Sequence, residues 1–152
     1  MGNFKLILGL LFLVVVSSCG KEQLEVDTNK IEEYLSDNNL TAEKSEDGIY
    51  YIVTKEGNGT FPTVSNDVTV HYKGYRLNGD IFDSSYDRGE RTTFGLSQVI
   101  TGWQLGIPLF SEGGAGTLII PSHLAYGQYP PQGSIIRKND VLVFDIELFE
   151  VE

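Results

Sequence analysis

The sequence predicts an α+β domain with a mostly antiparallel sheet and one short central helix. Apolar and polar residues alternate at a period of two in residues 67–76 and 141–152, which is typical of strands with one buried face. Asn78-Gly79 is a strong tight-turn pair of the kind that joins neighbouring antiparallel strands. The long helical crossovers that parallel strands need are missing, so a doubly wound parallel fold is disfavoured.

Turn residues separate the elements, which can therefore be placed in order. We predict strands at residues 48–57, 67–76, 80–83, 92–96, 116–121 and 141–152. In the two long strands the even-numbered residues form the apolar face. The central helix is expected over residues 98–106, where Val99, Ile100 and Trp103 would share one face.

Residues 1–18 are predicted to be a signal peptide and to lie outside the fold. Lys5 supplies a positive charge, and the apolar run at 6–16 is too short to span a bilayer comfortably. The serines at 17 and 18 precede Cys19, an arrangement that resembles the bacterial lipobox, in which the signal is cut before a cysteine that then receives lipid. An ordinary signal peptide with an incidental cysteine is the alternative.

Lipidation of Cys19 would anchor an otherwise soluble domain to the membrane, because each buried CH₂ of an acyl chain contributes about 0.8 kcal/mol. Gly20 after the cysteine favours the outer membrane of a bacterial envelope, with the domain facing the periplasm. Residues 19–47 are then expected to form a lipidated tether followed by a short helix.

That short helix is predicted over residues 29–39, after a polar tether at 20–28. Asn29 and Glu32 have the spacing of a capping box, and the Asn38-Asn39 pair can end the helix. Its apolar stripe, which would lean on the domain or on a partner subunit, consists of Ile31, Tyr34 and Leu35.

Charge and composition exclude some classes of function. The net charge is −10, and the chain lacks a basic stripe, so nucleic acid is not an expected partner. His71 and His123 have no neighbouring cysteine or matching acidic cluster, so neither is predicted to bind a metal; a solvated or capping role is favoured. Asp83 and Asp87 could form the acid pair of a glycosidase, but no other feature supports that chemistry.

A set of apolar and aromatic residues remains, which recur at the ends of the predicted elements with Asp83 among them. Its members are Tyr72, Phe82, Val99, Ile100, Trp103, Tyr126, Ile136 and Phe144. Such residues in a small β domain usually form the core, and a dry binding pocket is the alternative. The pattern alone leaves both interpretations open.

Four segments resemble the FKBP-type peptidyl-prolyl isomerases, in that family's order and spacing. They are VHYKGYRLNGDIFDSSYDRGE, VITGWQLGIP, LIIPSHLAYG and SIIRKNDVLVFDIELFEV. The resemblance covers residues 48–152, which are predicted to be the isomerase domain. It implies an FKBP-like antiparallel sheet of five or six strands curled around a short helix. The N-terminal helix resembles an extension of envelope-anchored members from Bacteroidetes-like bacteria.

The resemblance also implies the site, with Trp103 as the floor of a pocket between sheet and helix. The implied catalytic residues are Tyr72, Phe82, Asp83, Trp103 and Tyr126. The implied substrate-binding residues are Val99, Ile100, Ile136 and Phe144. The backbone N–H of Ile100 would hold a substrate carbonyl. Asp83 would either accept a hydrogen bond from Tyr72, which is the favoured role, or stabilise the twisted carbonyl.

The implied activity is cis-trans isomerisation of X-Pro peptide bonds, which needs no metal or other cofactor because no covalent bond is broken. The substrates would be proline-containing polypeptides, and macrolide-type ligands would use the same pocket. One alternative is a weakly catalytic or non-catalytic binding module or chaperone of the same fold in an envelope complex, such as one for gliding motility. A structural lipoprotein without a pocket is the other.

Overall fold

The computed structural model describes residues 15–152, with side chains described from residue 20. The predicted signal peptide therefore lies outside the described residues, except for the backbone of residues 15–18, which begins the first helix. The helices of the described chain are α1 (Val15–Asp37), α2 (Ser85–Arg88) and α3 (Thr101–Gly106). Its strands are β1 (Glu43–Lys44), β2 (Tyr50–Lys55), β3 (Asp67–Arg76), β4 (Ile81–Ser84), β5 (Thr92–Gly95), β6 (Ala115–Ile120) and β7 (Leu142–Val151). The predicted α+β class is confirmed.

The strands of residues 15–152 join one antiparallel sheet in the order β1-β2-β6-β7-β3-β4, and β5 pairs with the first half of β3. The sheet has seven strands within these residues, where five or six were expected, because the two-residue β1 pairs with the outer side of β2. The centre is formed by β3 and β7, which pair from Val68 with Val151 to Arg76 with Leu142. The sheet therefore extends N-terminal to residue 48.

The alternation in the two long strands decides which face of the sheet is buried. The inner-face residues, each at most 8% exposed, are Val68, Val70, Tyr72, Leu142, Phe144, Ile146 and Leu148. Helix α3 lies against this face and approaches it closely at Gly102. A Cβ on Gly102 would come within 2.4 Å of Cγ2 of Ile120, so this position has no room for a side chain.

The central helix is shorter than predicted, since α3 begins at Thr101. Val99 (φ −103°, ψ 177°) and Ile100 (φ −56°, ψ 149°) are not helical, so the prediction that they share a helical face with Trp103 is wrong. These two residues precede the first turn of the helix. The carbonyl of Ile100 accepts the N–H groups of Trp103 (2.9 Å) and Gln104 (3.1 Å), which makes Ile100 the N-cap.

Helix α1 is longer than predicted and replaces the tether expected at residues 20–28. Asn29 lies inside it, so the predicted capping box with Glu32 is wrong. The polar sequence before Ile31 lacks an apolar periodicity, and a local pattern could not show that Asp27 is fully buried against the domain. The predicted end is confirmed, since α1 stops at Asp37 and Asn39 has a left-handed φ of 53°.

The apolar stripe of α1 packs on the outer face of the sheet. Ile31 is fully buried, and Tyr34 and Leu35 flank it. Its buried partners on the sheet side are Tyr50, Ile119, Val141 and Val143. The predicted stripe is thus confirmed, and it contacts the domain itself. Across residues 15–152, no helix combines the length and the apolar character needed to cross a bilayer.

Candidate functional site

A cavity of about 530 Å³ opens between α3 and the inner face of the sheet. Its lining includes all nine residues predicted for the site: Tyr72, Phe82, Asp83, Val99, Ile100, Trp103, Tyr126, Ile136 and Phe144. The fold brings them to one place, and the catalytic and binding roles assigned to them stay predictions. Gln98, Pro131 and Ser134 also line the cavity and were not predicted.

Trp103 lies at the base of the cavity and is 6% exposed. Its ring meets Tyr72 and Phe144 edge-on, with centroid distances of 4.9 and 5.1 Å, and Phe94 at 5.2 Å. Within residues 20–152, its indole N–H is the buried side-chain polar group without a hydrogen-bond partner. An unpaired buried donor is unfavourable, so ring packing and not hydrogen bonding holds the indole in place.

Phe82 and Phe144 form an apolar wall over β3. Their rings pack edge-on with centroids 5.6 Å apart. A Cβ on Gly74 of β3 would lie 2.7 Å from Cζ of Phe82 and 2.8 Å from Cε1 of Phe144. Only glycine therefore lets both rings rest on the strand, and no free space is left between the wall and β3.

The extended segment of Val99 and Ile100 lines the cavity beside α3. The side-chain amide of Gln104 donates to the carbonyl of Val99 at 2.8 Å, which holds the segment in its non-helical form. Within residues 15–152 the N–H of Ile100 has no hydrogen-bond acceptor. The segment therefore offers a backbone donor to a ligand carbonyl.

The polar side of the cavity is built on Asp83. The hydroxyl of Tyr72 donates to Oδ2 of Asp83, and Nη1 of Arg88 donates to Oδ1. The second guanidinium nitrogen of Arg88 donates to the Tyr72 hydroxyl at 3.1 Å, which closes a three-membered network. Arg88 was missed because nothing in the linear sequence separates it from Arg91. Only the turn of α2, which ends at Gly89, brings it back to Asp83.

Ser85 fixes this network to β3 from the other side. Its fully buried hydroxyl accepts the N–H of Tyr72 at 2.8 Å and donates to the carbonyl of Tyr72 at 3.2 Å. Nδ1 of His71 lies 2.8 Å from the same oxygen, and the imidazole stacks on Tyr86 at 4.5 Å. His71 thus packs on the outer face. Among the described residues, no group of three or more metal-ligating side chains is clustered.

Both tyrosines of the cavity are held in their neutral form. Burial raises the pKa of Tyr72 above its ordinary value of 10.0, as does its hydrogen bond to Asp83, while Arg88 acts in the opposite direction. Burial also raises the pKa of Tyr126, with a further contribution from the negative charge of Asp83. Both phenols are therefore protonated at neutral pH and available as hydrogen-bond donors rather than as bases. The Tyr126 hydroxyl has no partner within residues 20–152.

The loop between β6 and β7, residues 121–141, closes the other side of the cavity. Its lining residues are Tyr126, Pro131, Ser134 and Ile136. Tyr126 and Ile136 were expected here from the family resemblance, whereas Pro131 and Ser134 were missed because turn residues predict a loop but not which side chains face a cavity. Tyr129 is 88% exposed and does not line the cavity.

Comparison with known proteins agrees with this fold. The family model for "FKBP-type peptidyl-prolyl cis-trans isomerase" matches residues 58–149. The FKBP-type peptidyl-prolyl cis-trans isomerase FkpA of Aeromonas hydrophila is 46% identical over 125 residues, which are 81% of this chain and 46% of that protein. The probable FkpA of Neisseria meningitidis serogroup B is 40% identical over 133 residues, 86% of this chain and 48% of that protein.

The fold is similar to that of a solved relative. The crystal structure of FkpA from Escherichia coli aligns with a TM-score of 0.73 at 36% identity, over 93% of this chain and 68% of that one. The chain spans about half the length of the curated relatives it matches.

An antiparallel sheet that packs against a short helix, with an apolar cavity between them, defines an α+β domain. The family match covers more than half of the chain, and the chain therefore belongs to the FKBP-type peptidyl-prolyl cis-trans isomerases. The resemblance inferred from the four sequence segments is confirmed.

Proposed function

We propose that the protein accelerates the rotation of X-Pro peptide bonds during the folding of exported or envelope proteins. The observation that carries this proposal is the aromatic cavity with a free backbone donor at Ile100, in which the carboxylate of Asp83 is already hydrogen-bonded to Tyr72 and Arg88. Its floor and walls present rings, and its two phenols are neutral. A site of this kind binds a ring-shaped apolar group and needs no proton transfer.

Prolyl isomerisation is a reaction that such a cavity can accelerate. Rotation about the peptide bond has a barrier of about 18–20 kcal/mol, set by amide resonance that places charge on oxygen and nitrogen. The twisted transition state has lost this resonance and is less dipolar. An apolar cavity therefore favours the transition state over the planar ground state, which is the differential binding that catalysis requires.

The substrate would be held at two places. The proline ring would rest on Trp103 between Phe82 and Phe144, and the N–H of Ile100 would bind a carbonyl of the peptide. Tyr126 would supply a second donor at the loop side. Macrolide-type ligands would occupy the same cavity.

Asp83 is proposed to act by holding Tyr72 rather than by touching the reacting bond. Its two oxygens are already engaged by Tyr72 and Arg88, and its side chain is 42% exposed. The network fixes the Tyr72 ring, which in turn packs edge-on against the Trp103 floor. The alternative, stabilisation of the twisted carbonyl, would need a free oxygen or a protonated acid.

The test is the cis-to-trans exchange rate of a short X-Pro peptide, measured by NMR with the purified protein. We expect exchange well above the rate in buffer. Asp83→Asn should lower kcat/KM about three- to tenfold, because Tyr72 and Arg88 donate to different oxygens of Asp83 and the amide NH2 would replace one of these acceptors. A hydrogen bond to a charged group contributes about 1.5–3 kcal/mol when buried, and the half-exposed position of Asp83 reduces this contribution. Asp87→Asn removes the same charge from an exposed position nearby and should leave the rate unchanged.

An exchange rate no faster than buffer would exclude the isomerase. If the same protein still bound the peptide, the function would be that of a non-catalytic binding module or chaperone, such as a component of a gliding complex. Equal rates for the two asparagine variants would exclude the role given to Asp83.

We also propose that residues 1–18 are a signal peptide and that Cys19 carries lipid, which places the domain at the outer membrane, facing the periplasm. Ser17, Ser18 and Gly20 around the cysteine support this. In a bacterial host, the wild type should sediment with membranes and resist a high-salt wash. Cys19→Ala should appear in the soluble fraction, and a variant that stays in the washed membrane would contradict lipidation.

A further inference from the structure

Helix α1 makes a polar contact with the start of the loop that closes the cavity. Asp27 is fully buried. Its Oδ2 accepts the backbone N–H of Ser122 at 2.8 Å and the Ser122 hydroxyl at 2.6 Å. Ser122 begins the short turn that leads from β6 to Tyr126. A side chain 95 residues away in sequence therefore fixes the first residue of the loop.

The same helix reaches the other end of the loop through Gln23, one turn before Asp27. Oε1 of Gln23 accepts Nδ2 of Asn139 at 2.9 Å, and Nε2 of Gln23 donates to Oδ1 of Asp27 at 2.8 Å. The two side chains thus form one hydrogen-bonded unit between Ser122 and Asn139. This unit is called the loop clamp below.

The residues held by the loop clamp define the turn around Tyr126. The carbonyl of Ser122 accepts the N–H groups of Ala125 at 3.0 Å and Gly127 at 2.9 Å. The N–H of Asn139 donates to the carbonyl of Gly127 at 2.7 Å. Tyr126 therefore lies between Ala125 and Gly127, whose backbone groups are hydrogen-bonded to Ser122 and, for Gly127, also to Asn139. Ser122 and Asn139 are the two residues that α1 holds.

We propose that Asp27 and Gln23 are positioning residues for the isomerase pocket, which set where Tyr126 and Ile136 stand by holding both ends of their loop. This inference rests on the proposed isomerase function. It gives α1 a role in the site, in addition to any role in attachment.

Docking of the helix does not rest on the polar contacts alone. Ile31 already buries its whole side chain on the outer face of the sheet. Burying an acid is unfavourable unless its hydrogen bonds are made. Hydrogen bonds are directional, so they also specify one arrangement of the groups that they join. The partners of this acid lie on the loop and on α1, so the arrangement that it specifies is that of the loop.

The experiment compares Asp27→Ala with Ile31→Val in the purified protein. Both changes weaken the packing of α1, but only the first removes the loop clamp. We measure kcat/KM for the X-Pro peptide well below the melting temperature, and the backbone amide chemical shifts of residues 122–139. Asp27→Ala should lower kcat/KM about three- to tenfold and shift the amides around Tyr126 and Ile136. Ile31→Val should lower the melting temperature and change neither.

Two further variants test the inference if Asp27→Ala does not fold. Asp27→Asn keeps an acceptor for Ser122 and should retain more than half of the wild-type kcat/KM. Ser122→Ala removes one hydrogen bond of the clamp and should shift the same amides with a smaller loss of rate. In the double variant, Asp27→Ala should mask the effect of Ser122→Ala, since both act through one contact.

Unchanged amide shifts and kcat/KM in Asp27→Ala, or in Ser122→Ala if Asp27→Ala does not fold, would overturn the inference and leave the isomerase function standing. If the wild type did not accelerate exchange, the proposed function would fail separately. The amide shifts would then decide the inference alone, because they report the position of the loop without any turnover.

Discussion

Replacing Phe82 by tyrosine is expected to lower kcat/KM at least tenfold while the protein stays folded. Cζ of Phe82, the atom that would carry the hydroxyl, faces Gly74 of β3 and the ring of Phe144, where no space is left. Overpacking of this kind costs about 1–3 kcal/mol, and an unpaired buried hydroxyl costs a similar amount. The ring must move into the cavity to relieve this overpacking, and it then occupies the place proposed for the substrate proline. About 1.4 kcal/mol corresponds to a tenfold change in rate.

Phe149→Tyr is the matched control for this prediction. Phe149 lies on the outer face of β7, where its ring contacts Arg91 and His71. The same oxygen is added there without approaching the cavity, so the exchange rate should stay at the wild-type level. If Phe82→Tyr retained activity within about twofold of Phe149→Tyr, the close packing of the wall over β3 would not matter for catalysis.

Replacing Trp103 by alanine is expected to lower both stability and activity. Three aromatic rings pack on the indole, and its removal leaves a hole at the base of the cavity. Truncation of a buried tryptophan costs about 3–5 kcal/mol of unfolding free energy. With the floor gone, the substrate ring loses its packing surface, so kcat/KM should fall by more than tenfold. Chemical denaturation and peptide exchange measure the two effects separately.

A variant with a similar loss of stability separates the two effects of Trp103→Ala. Ile107 is fully buried in the same core, directly after α3, but does not line the cavity. Ile107→Ala should cost about 2–5 kcal/mol and leave kcat/KM close to wild type under conditions where it is folded. Trp103→Phe keeps an aromatic floor and should recover most of the rate. Equal rate losses in the two alanine variants would mean that Trp103 acts only through stability.

The strands were predictable because their pattern is local. The alternation in β3 and β7 showed which side chains enter the core, and the Asn78-Gly79 turn marked the hairpin to β4. A period of two reports directly which face is buried. The cavity residues were predictable for a different reason. Their pattern alone left a core and a pocket both open, and the resemblance of four segments to a known family is what assigned them to one site.

The features that the sequence did not show depend on contacts between distant residues. The polar first half of α1 has no apolar stripe, and most helical stability in proteins comes from tertiary contacts, here including the contact of Asp27 with Ser122. The helix start at Thr101 depends on the capping carbonyl of Ile100. Arg88 joins Asp83 only because α2 turns the chain back, and no linear pattern reports such a return.

The position of β7 in the sheet has a consequence for when the protein becomes active as it folds. This strand follows all the others in sequence, yet it lies in the middle, paired with β6 on one side and β3 on the other. Until residues 142–151 are available for pairing, the sheet can form only as two separate parts. Phe144, one wall of the cavity, is also absent until then. The pairing of β7 with β3 and β6 joins residues far apart in sequence, so it is expected to be slow compared with the formation of local hairpins. A chain in which β7 has not yet paired is therefore expected to lack the proposed isomerase activity, which should appear only after β7 joins the two halves.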